Sequence, residues 1–365
     1  MNQNRIRLLL TEDSLPLGGS ETHMLQYLEH LDRNIFEVHL ITLRDKGELL
    51  LDAKKRADHY KCTHRKYGMD IISIMKLRKY LVRNSINIVH TNQWLDSLYI
   101  YLASIGLKIL KVSTVHGYNL GWRNQINLQV LKSFDRIICG SRSLRLDLYK
   151  MGFAWDKISV VYCCYDDERF NVTSIVQNIR GKKPFRIVMV GNFWWWKDQK
   201  TLIEAVHILN NQGYNIELHL VGGRTSNIFG ECRVLVNKFG LDSIVNFWEN
   251  KRVDKEFLST FDLFVFSSIA DTFGIALLEA MACGLPVLVS DIPSSMELIN
   301  HGEYGLYFAT GNHFSCAEAI AKIMKDTDLS NSLRRKAYFR SQEFRPEKLT
   351  RDLEKVYTDL LGPSF

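Results

Sequence analysis

Short runs rich in β-branched residues alternate with amphipathic stretches along nearly the whole chain, and the series runs twice. In the first half, IRLLL (6–10), VHLIT (38–42), NIVHT (87–91), LKVST (110–114) and RIICG (136–140) predict strands. ETHMLQYLEHL (21–31) and DIISIMKLRKYLVR (70–83) predict helices between them. NVTSIVQNIRGKK (171–183), followed by Pro184, is polar and weakly patterned, as a linker would be. The alternation then restarts with FRIVMVG (185–191), a helix from about Asp198, IELHLVG (216–222) and a helix around 229–239. IVNFW (244–248), DLFVFS (262–267), VLVSD (287–291) and GLYFA (305–309) complete it. Strand–helix–strand order demands crossovers, which produce a parallel sheet covered by helices on both faces. The expected fold is therefore α/β, with two tandem Rossmann-like doubly wound domains at 1–172 and 185–345, a linker at 173–184, and an amphipathic helix at 346–365. Open sheets of this kind bind ligands at the carboxyl ends of their strands, so two domains facing each other would bind in the cleft between those ends.

With 46% hydrophobic and 24% charged residues, each domain can bury its own core, which excludes fibrous and disordered classes. The seven cysteines include no CxxC pair and predict free thiols in a reducing compartment. The apolar stretch in MNQNRIRLLLTEDS is too short for a secretory signal, and no run approaches the ~18 residues of a membrane span. A cytoplasmic location is expected. The net charge of +7 is uneven: residues 1–180 carry +8, residues 181–365 carry −1, and 51–150 alone carry +12. A basic half suits an anionic partner, whether membrane surface, nucleic acid or phosphorylated substrate; a merely solvated basic face is the plain alternative.

Three motifs fall at strand-to-helix turns. In LPLGGSETHML (15–25), Gly18 and Gly19 permit close backbone approach, and Ser20 can cap the helix starting near Glu21. In DTFGIALLEAMACGLPVLVSD (271–291), Asp271 precedes a turn whose amides at Phe273, Gly274 and Ile275 open a helix, where the dipole favours a phosphate. Asp271 and Glu279 are acceptors suited to sugar hydroxyls, and Glu279 stands inside an apolar stretch where an unpaired carboxylate is costly. In GNFWWWKDQK (191–200), Lys197 can neutralise phosphate charge. Each motif alone also fits an ordinary turn or a solvated side chain.

Together and in this order, these motifs resemble the GT-B glycosyltransferases of glycosyltransferase family 4. The resemblance runs through NIVHTNQ (87–93), TVHGY (114–118), CGSRSLRLDL (139–148), YDDERF (165–170), VGNFWWWKDQKTLIEA (190–205), LVGG (220–223) and the 271–287 block, which carries the family's E-x7-E segment. The resemblance implies a retaining hexosyltransferase that uses a UDP- or GDP-linked sugar and neither cofactor nor metal. The acceptor would be a glycan or lipid-linked molecule of bacterial cell-surface polysaccharide or lipopolysaccharide synthesis, and nucleic acid is not an expected partner. By position, Glu279 would hold the ribose and Asp271 the donor sugar. Phe273, Gly274 and Ile275 would meet sugar and phosphate, Lys197 the diphosphate, and Gly19 the phosphates, with the Gly18-Gly19 turn helping to hold the leaving group's charge. His116 would lie near the transferred sugar and Glu21 beside the acceptor path. The final helix, 346–365, would return to the N-terminal domain.

The chain departs from the family's pattern at three places. Asn192 stands where an arginine is usual, and Cys163-Cys164 where Asn-Gly is usual. Asp271 stands for Glu, a side chain shorter by one bond of roughly 1.5 Å. Loss of the arginine removes a charge whose transition-state contribution is on the order of 3 kcal/mol, for which Lys197, Arg224 or Arg252 could compensate. Asn192 remains a donor-side candidate. The Asp166-Asp167 pair is a weak metal candidate that fits an interdomain turn better. Of Trp194, Trp195 and Trp196, one or two (Trp194 and Trp195) are expected on the acceptor side and the third as the loop's anchor; all three packing beneath the loop is the alternative. Lys76, Arg78, Lys79 and Arg83 flank an apolar stripe that could lie on an anionic membrane, peripheral to the inner face of the plasma membrane. A non-catalytic sugar-nucleotide-binding protein and a sugar-nucleotide epimerase are the rival functions on this fold.

Overall fold

A computed structural model describes residues 5–16, 18–66, 68–117, 122–172, 184–224, 226–249 and 251–362, without the side chains of 122–124. The expected linker, apart from Pro184, lies outside the described residues. No helix among the described residues is long and apolar enough to cross a membrane, and all seven cysteines are free thiols.

The chain divides into two compact units, Met1–Cys164 with Pro346–Phe365, and Tyr165–Arg345. The first holds strands β1 (Ile6–Glu12), β2 (Phe36–Thr42), β3 (His59–Cys62), β4 (Ile88–Thr91), β5 (Leu110–Val115), β6 (Arg136–Cys139) and β7 (Ile158–Val160). They form one sheet in the order β3-β2-β1-β4-β5-β6-β7, with every pair parallel. The second unit holds β8 (Phe185–Val190), β9 (Ile216–Val221), β10 (Val245–Trp248), β11 (Leu263–Phe266), β12 (Val287–Ser290) and β13 (Leu306–Phe308). Their order is β10-β9-β8-β11-β12-β13, again all parallel. Each sheet thus has one topological switch point, between β1 and β4 and between β8 and β11, and a crevice opens at the carboxyl ends of the strands there.

Strands buried on both faces read as continuous apolar runs, and β11, LFVF, is buried at all four positions. The first sheet has cores on both faces, one built on Leu8, Leu10, Val38 and Leu40, the other on Leu9, Ile41, Val89 and Ile137. In the second, Ile187, Leu218, Val265 and Leu288 pack under Leu202, Val206 and Ile320. The final helix, Pro346–Leu361, lays Leu353 and Tyr357 into the first unit's core. It is fastened there by Tyr357 Oη to His90 Nδ1 at 2.5 Å, and by the Asp32 amide donating to Glu354 at 2.7 Å.

The division falls earlier than residue 172. Residues Tyr165–Val172, counted above with the first domain, belong to the second unit. The short helix Asp167–Phe170 buries Phe170, whose carbonyl accepts from Cys283 Sγ at 3.3 Å. Arg345 pairs with Asp167 at 2.9 Å, and Asp166 caps the helix by accepting from the Arg169 amide at 3.2 Å. Both aspartates of the metal candidate pair are therefore engaged in holding this turn.

Candidate active site

The crevice of the second unit is built by the loops that follow β8 and β11. The β8 loop is drawn close to β9 by glycine: a Cβ on Gly222 would lie 2.2 Å from the Gly191 carbonyl oxygen, closer than two such atoms can approach. Asn192 staples the same contact, its Oδ1 accepting from the Gly223 amide at 2.9 Å. Phe193 is fully buried, with its ring centroid 5.0 Å from Phe229 and 6.0 Å from Phe247. The loop ends at Asp198, whose left-handed backbone (φ 51°, ψ 49°) turns the chain into the helix Gln199–Asn211 that its side chain caps. From the other loop, Ser267 Oγ donates to the carbonyls of Lys197 (3.1 Å) and Asp198 (2.9 Å), and the Ile269 amide donates to Trp196 at 2.8 Å. The two loops are thus locked as one piece.

On that piece Lys197 Nζ meets Asp271 Oδ2 at 2.5 Å, with both side chains mostly buried. The ammonium also lies 5.1 Å from the centroid of Phe266. The Thr272 amide donates to the second carboxylate oxygen of Asp271 at 2.8 Å. Gly274 (φ 96°, ψ 61°) then opens the helix Ile275–Ala282, whose first amides have no intrahelical partners. Phe273 is buried against Phe344. Two loops thus bring four groups together: an ammonium, a carboxylate, a helix amino terminus and, along that helix, Glu279.

Glu279 is half-buried, and burial pushes its carboxyl up to about 8; Arg169 opposes the shift and Asp166 adds to it. At neutral pH it is a neutral acid that can both donate and accept, which suits a vicinal diol. Arg169 is a site residue that the motif reading passed over. It is held by a 2.5 Å hydrogen bond to the Val253 carbonyl and is the cation that acts on Glu279. Its only signal was an arginine directly after three acidic residues within YDDERF. The two arginines named as substitutes for the missing one stand differently: Arg224 pairs with Glu249 over the Phe229 ring, and Arg252 is exposed.

The tryptophans depart from the expected division of labour. Trp194 and Trp196 stack face to face, centroids 5.0 Å apart and planes 6° apart, while Trp195 meets Trp196 edge-on and is 58% exposed. None is buried; the anchor is Phe193, because its smaller ring fits among Phe229 and Phe247. Phe193→Ala should cost about 3–5 kcal/mol of stability, whereas Trp195→Ala should leave it within about 0.5 kcal/mol. Denaturant unfolding of the two variants checks both.

In the first unit, the loops after β1 and β4 meet at the switch point. Gly18 is extended (φ −148°), and Gly19 begins the helix Gly19–His30. The Glu21 carboxylate folds back over this turn, where a Cβ on Gly18 would be 2.4 Å from its Oε2. Glu21 accepts from Ser20 Oγ at 2.8 Å and from Gln93 Nε2 at 3.0 Å. The carboxylate therefore lies over the turn where the resemblance would put phosphate. Buried beside it is Asp96, which accepts from Thr11 Oγ1 at 3.0 Å and from the Ser97 amide at 2.9 Å, and is raised to about 7 by burial. Glu12 is fully buried and held well above its ordinary range by burial, then by Asp96 and Glu21. This half of the chain is basic in sum, yet its crevice is acidic.

His116 follows β5, half-buried, its ring edge-on to His23 at 6.3 Å. Burial lowers it to about 4, so it is neutral at pH 7. Of the Cys163-Cys164 pair, Cys164 lies with Sγ 3.2 Å from His23 Nδ1, which also accepts its amide at 3.3 Å.

Comparison with known proteins bears on both units. The model of glycosyltransferase family 4 matches residues 17–169, and that of glycosyl transferases group 1 matches residues 173–340. The N-acetyl-alpha-D-glucosaminyl L-malate synthase of Bacillus anthracis is 25% identical over 306 residues, 80% of each chain. The UDP-Gal:alpha-D-GlcNAc-diphosphoundecaprenol alpha-1,3-galactosyltransferase of Escherichia coli is 25% identical over 345 residues, 86% of this chain and 87% of its own. Among solved structures, a glycosyltransferase from Rickettsia africae superposes with a TM-score of 0.83 at 18% identity, over 99% of this chain and 100% of its own. Anabaena HepE in complex with UDP-glucose superposes with a TM-score of 0.82 at 18% identity, over 97% and 99%. The two matched segments between them take in most of both units, and the chain belongs to the family 4 glycosyltransferases of the GT-B fold.

Proposed function

We propose that the protein is a retaining hexosyltransferase that takes its sugar from a UDP- or GDP-linked donor. The acceptor is a lipid-linked or glycan hydroxyl of bacterial cell-surface polysaccharide. The observation that carries the reading is the Lys197–Asp271 contact at the β8/β11 switch point, directly before the helix that bears Glu279. Departure of a nucleoside diphosphate requires its growing charge to be held. Lys197 and the amides opening Ile275–Ala282 supply that without a metal, since Asp166 and Asp167 are already engaged. Asp271 then orients both the ammonium and the sugar hydroxyls, and Glu279 takes the ribose diol. His116, neutral, positions the sugar and does not attack it. Trp194 and Trp195 offer flat faces to the acceptor. The Glu21 carboxylate over the Gly18 turn fits an acceptor presenting hydroxyls, and so favours a glycan over an acid such as malate. The names of the relatives support a lipid-linked acceptor: one acts on a diphosphoundecaprenol-linked sugar. The test is incubation with UDP- and GDP-hexoses and polyprenyl-diphosphate-linked sugars, followed by NMR of the product. An α-linked product from an α-linked donor is expected; an inverted linkage would overturn retention.

The lipid side of this reading locates on the helix Ile71–Arg83. It buries Ser73, Leu77 and Leu81 and leaves Ile71, Ile72, Met75 and Val82 exposed. Beside it, Met69, Trp94, Leu95, Leu98, Tyr99 and Ile126 line an apolar cavity of about 450 Å³. All four basic residues of the stripe are exposed; two of them are also tied to backbone, Lys76 donating to the Thr63 carbonyl at 2.7 Å and Arg78 to those of Ala103 and Ile105. Sedimentation with vesicles containing anionic lipid should recover the protein in a salt-sensitive way, and Lys79→Glu with Arg83→Glu should weaken binding by about 30-fold or more, at ~1 kcal/mol per charge lost and more on reversal. Equal recovery on neutral vesicles would remove the electrostatic part.

A further inference from the structure

We infer that Glu37, His39 and His59 form a zinc-binding clip at the outer edge of the first sheet. Glu37 and His39 are two residues apart on β2 and therefore share a face. His59, on the edge strand β3, is in register with His39, so both imidazoles project to that face. Their rings stack with centroids 4.5 Å apart, His59 Nε2 lies 2.9 Å and His39 Nε2 3.7 Å from Glu37 Oε1, and one donor atom from each residue fits within 4.8 Å of the others. A tetrahedral zinc with bonds of ~2.0–2.1 Å needs ligand atoms about 3.3–3.4 Å apart, so closure asks for shifts of roughly 1 Å or less by side chains alone.

The state of His39 points to a ligand. Its side chain is 2% exposed, and its Nε2 is buried with no hydrogen-bond partner, whereas Nδ1 lies 2.8 Å from Tyr80 Oη on the helix Ile71–Arg83. One nitrogen fixed from behind and the other aimed into a cluster is how metal-bound imidazoles are held. His59 is 51% exposed, which leaves an entry path and a fourth position for water. Two neutral imidazoles and a carboxylate are borderline ligands that suit zinc over calcium or magnesium.

The second unit provides an internal comparison. Its β9 repeats the same Glu-x-His spacing at Glu217 and His219, and each glutamate pairs with an arginine on the neighbouring strand, Arg7 with Glu37 and Arg186 with Glu217. In register with His219, however, stands Asn246, and His219 Nδ1 accepts from Trp248 Nε1 at 3.0 Å. Both nitrogens of His219 have partners, at Trp248 and at Glu217, 3.4 Å away. The site of the first unit differs by the third nitrogen. It sits toward the amino-terminal ends of the strands, away from the carboxyl-end crevice, so its role is to fasten the short strand β3 and the Tyr80 helix, and its failure would leave the sugar-transfer reading untouched.

The test is titration of chelator-treated full-length protein with ZnCl₂, followed by calorimetry and by thermal unfolding. One equivalent should bind at micromolar affinity and, at about a hundredfold excess over Kd, raise the first unit's midpoint by about 5 °C or more. His59→Gln, which keeps an exposed polar side chain on β3, should weaken binding at least tenfold and abolish the shift. Co²⁺ in place of zinc should give a spectrum without thiolate charge transfer. No binding, a thiolate spectrum, or unchanged binding in His59→Gln would each overturn the proposal.

Discussion

Lys197→Ala is expected to lower turnover by about 10²–10³, with a smaller effect on the Michaelis constant. The ammonium is a single fixed charge on a mostly buried side chain, and removing one such group from a developing anion costs about 3–4 kcal/mol. The geometry explains why the loss should fall on kcat. Nζ is held by Asp271 at 2.5 Å, and the backbone that carries it is locked by the Ser267 hydroxyl and the Ile269 amide before any ligand arrives, so no reorganisation accompanies the reaction. The same variant leaves the Asp271 carboxylate without its cation, with the Thr272 and Phe273 amides donating to its other oxygen at 2.8 and 3.5 Å. Stability should therefore fall by about 1–3 kcal/mol. Adding Asp271→Asn should restore part of that stability while leaving turnover low. Measuring kcat, KM and denaturant midpoints across this double-mutant cycle separates the two effects. Additive stabilities would mean that the pair does not interact, and unchanged kcat in Lys197→Ala would remove it from the chemistry.

The second large effect concerns Glu279. Its carboxyl is raised from 4.5 to about 8, so the folded ligand-free protein holds a proton there that the unfolded chain releases above its ordinary range. The sign follows directly. This group's favourable contribution is complete below about pH 4.5 and is lost as pH rises through about 8. Asp96, at about 7, and Glu12, raised by burial, act in the same direction in the other unit. Ligand-free stability should thus decline from pH 5 to pH 9, and Glu279→Gln, which is neutral at every pH, should flatten the decline. The same variant keeps one donor and one acceptor toward a diol, so nucleotide affinity should fall only a few-fold. Glu279→Leu should lose about 10-fold or more, because it leaves the diol's polar groups unpaired in the site at about 1–3 kcal/mol. Thermal melts across pH, with and without nucleotide, measure both. A pH profile unchanged in Glu279→Gln would show that this carboxyl is not the one titrating.

Much of this arrangement was legible in the sequence, for reasons that also explain what was not. Interior strands such as FRIVMV, IELHLV and LFVF are buried on both faces and therefore carry long apolar runs, which place β8, β9 and β11 within a residue or two. The edge strands β3 (HYKC) and β7 (ISV) bury little and escaped notice. Motif spacing placed Lys197, Asp271 and Glu279 on their loops because strand-to-helix turns are local. The Lys197–Asp271 contact and the influence of Arg169 on Glu279 join residues 74 and 110 positions apart in the chain, and only the strand order brings them together. The tryptophan loop shows the limit most plainly. Three large residues stand in a row, yet the core position goes to Phe193, whose ring packs against Phe229 and Phe247, residues distant in the sequence. Net charge misled in a similar way: the basic half keeps its acids at the crevice.

The central claim is that the β8/β11 crevice of the second unit binds a nucleoside diphosphate sugar through Lys197 and Glu279. Calorimetric titration of UDP-, GDP- and ADP-linked hexoses into the full-length protein tests it most directly. At least one should bind with a submillimolar dissociation constant that weakens about tenfold or more in both Lys197→Ala and Glu279→Leu. Binding equally tight in both variants, or absent for every donor, would contradict the account.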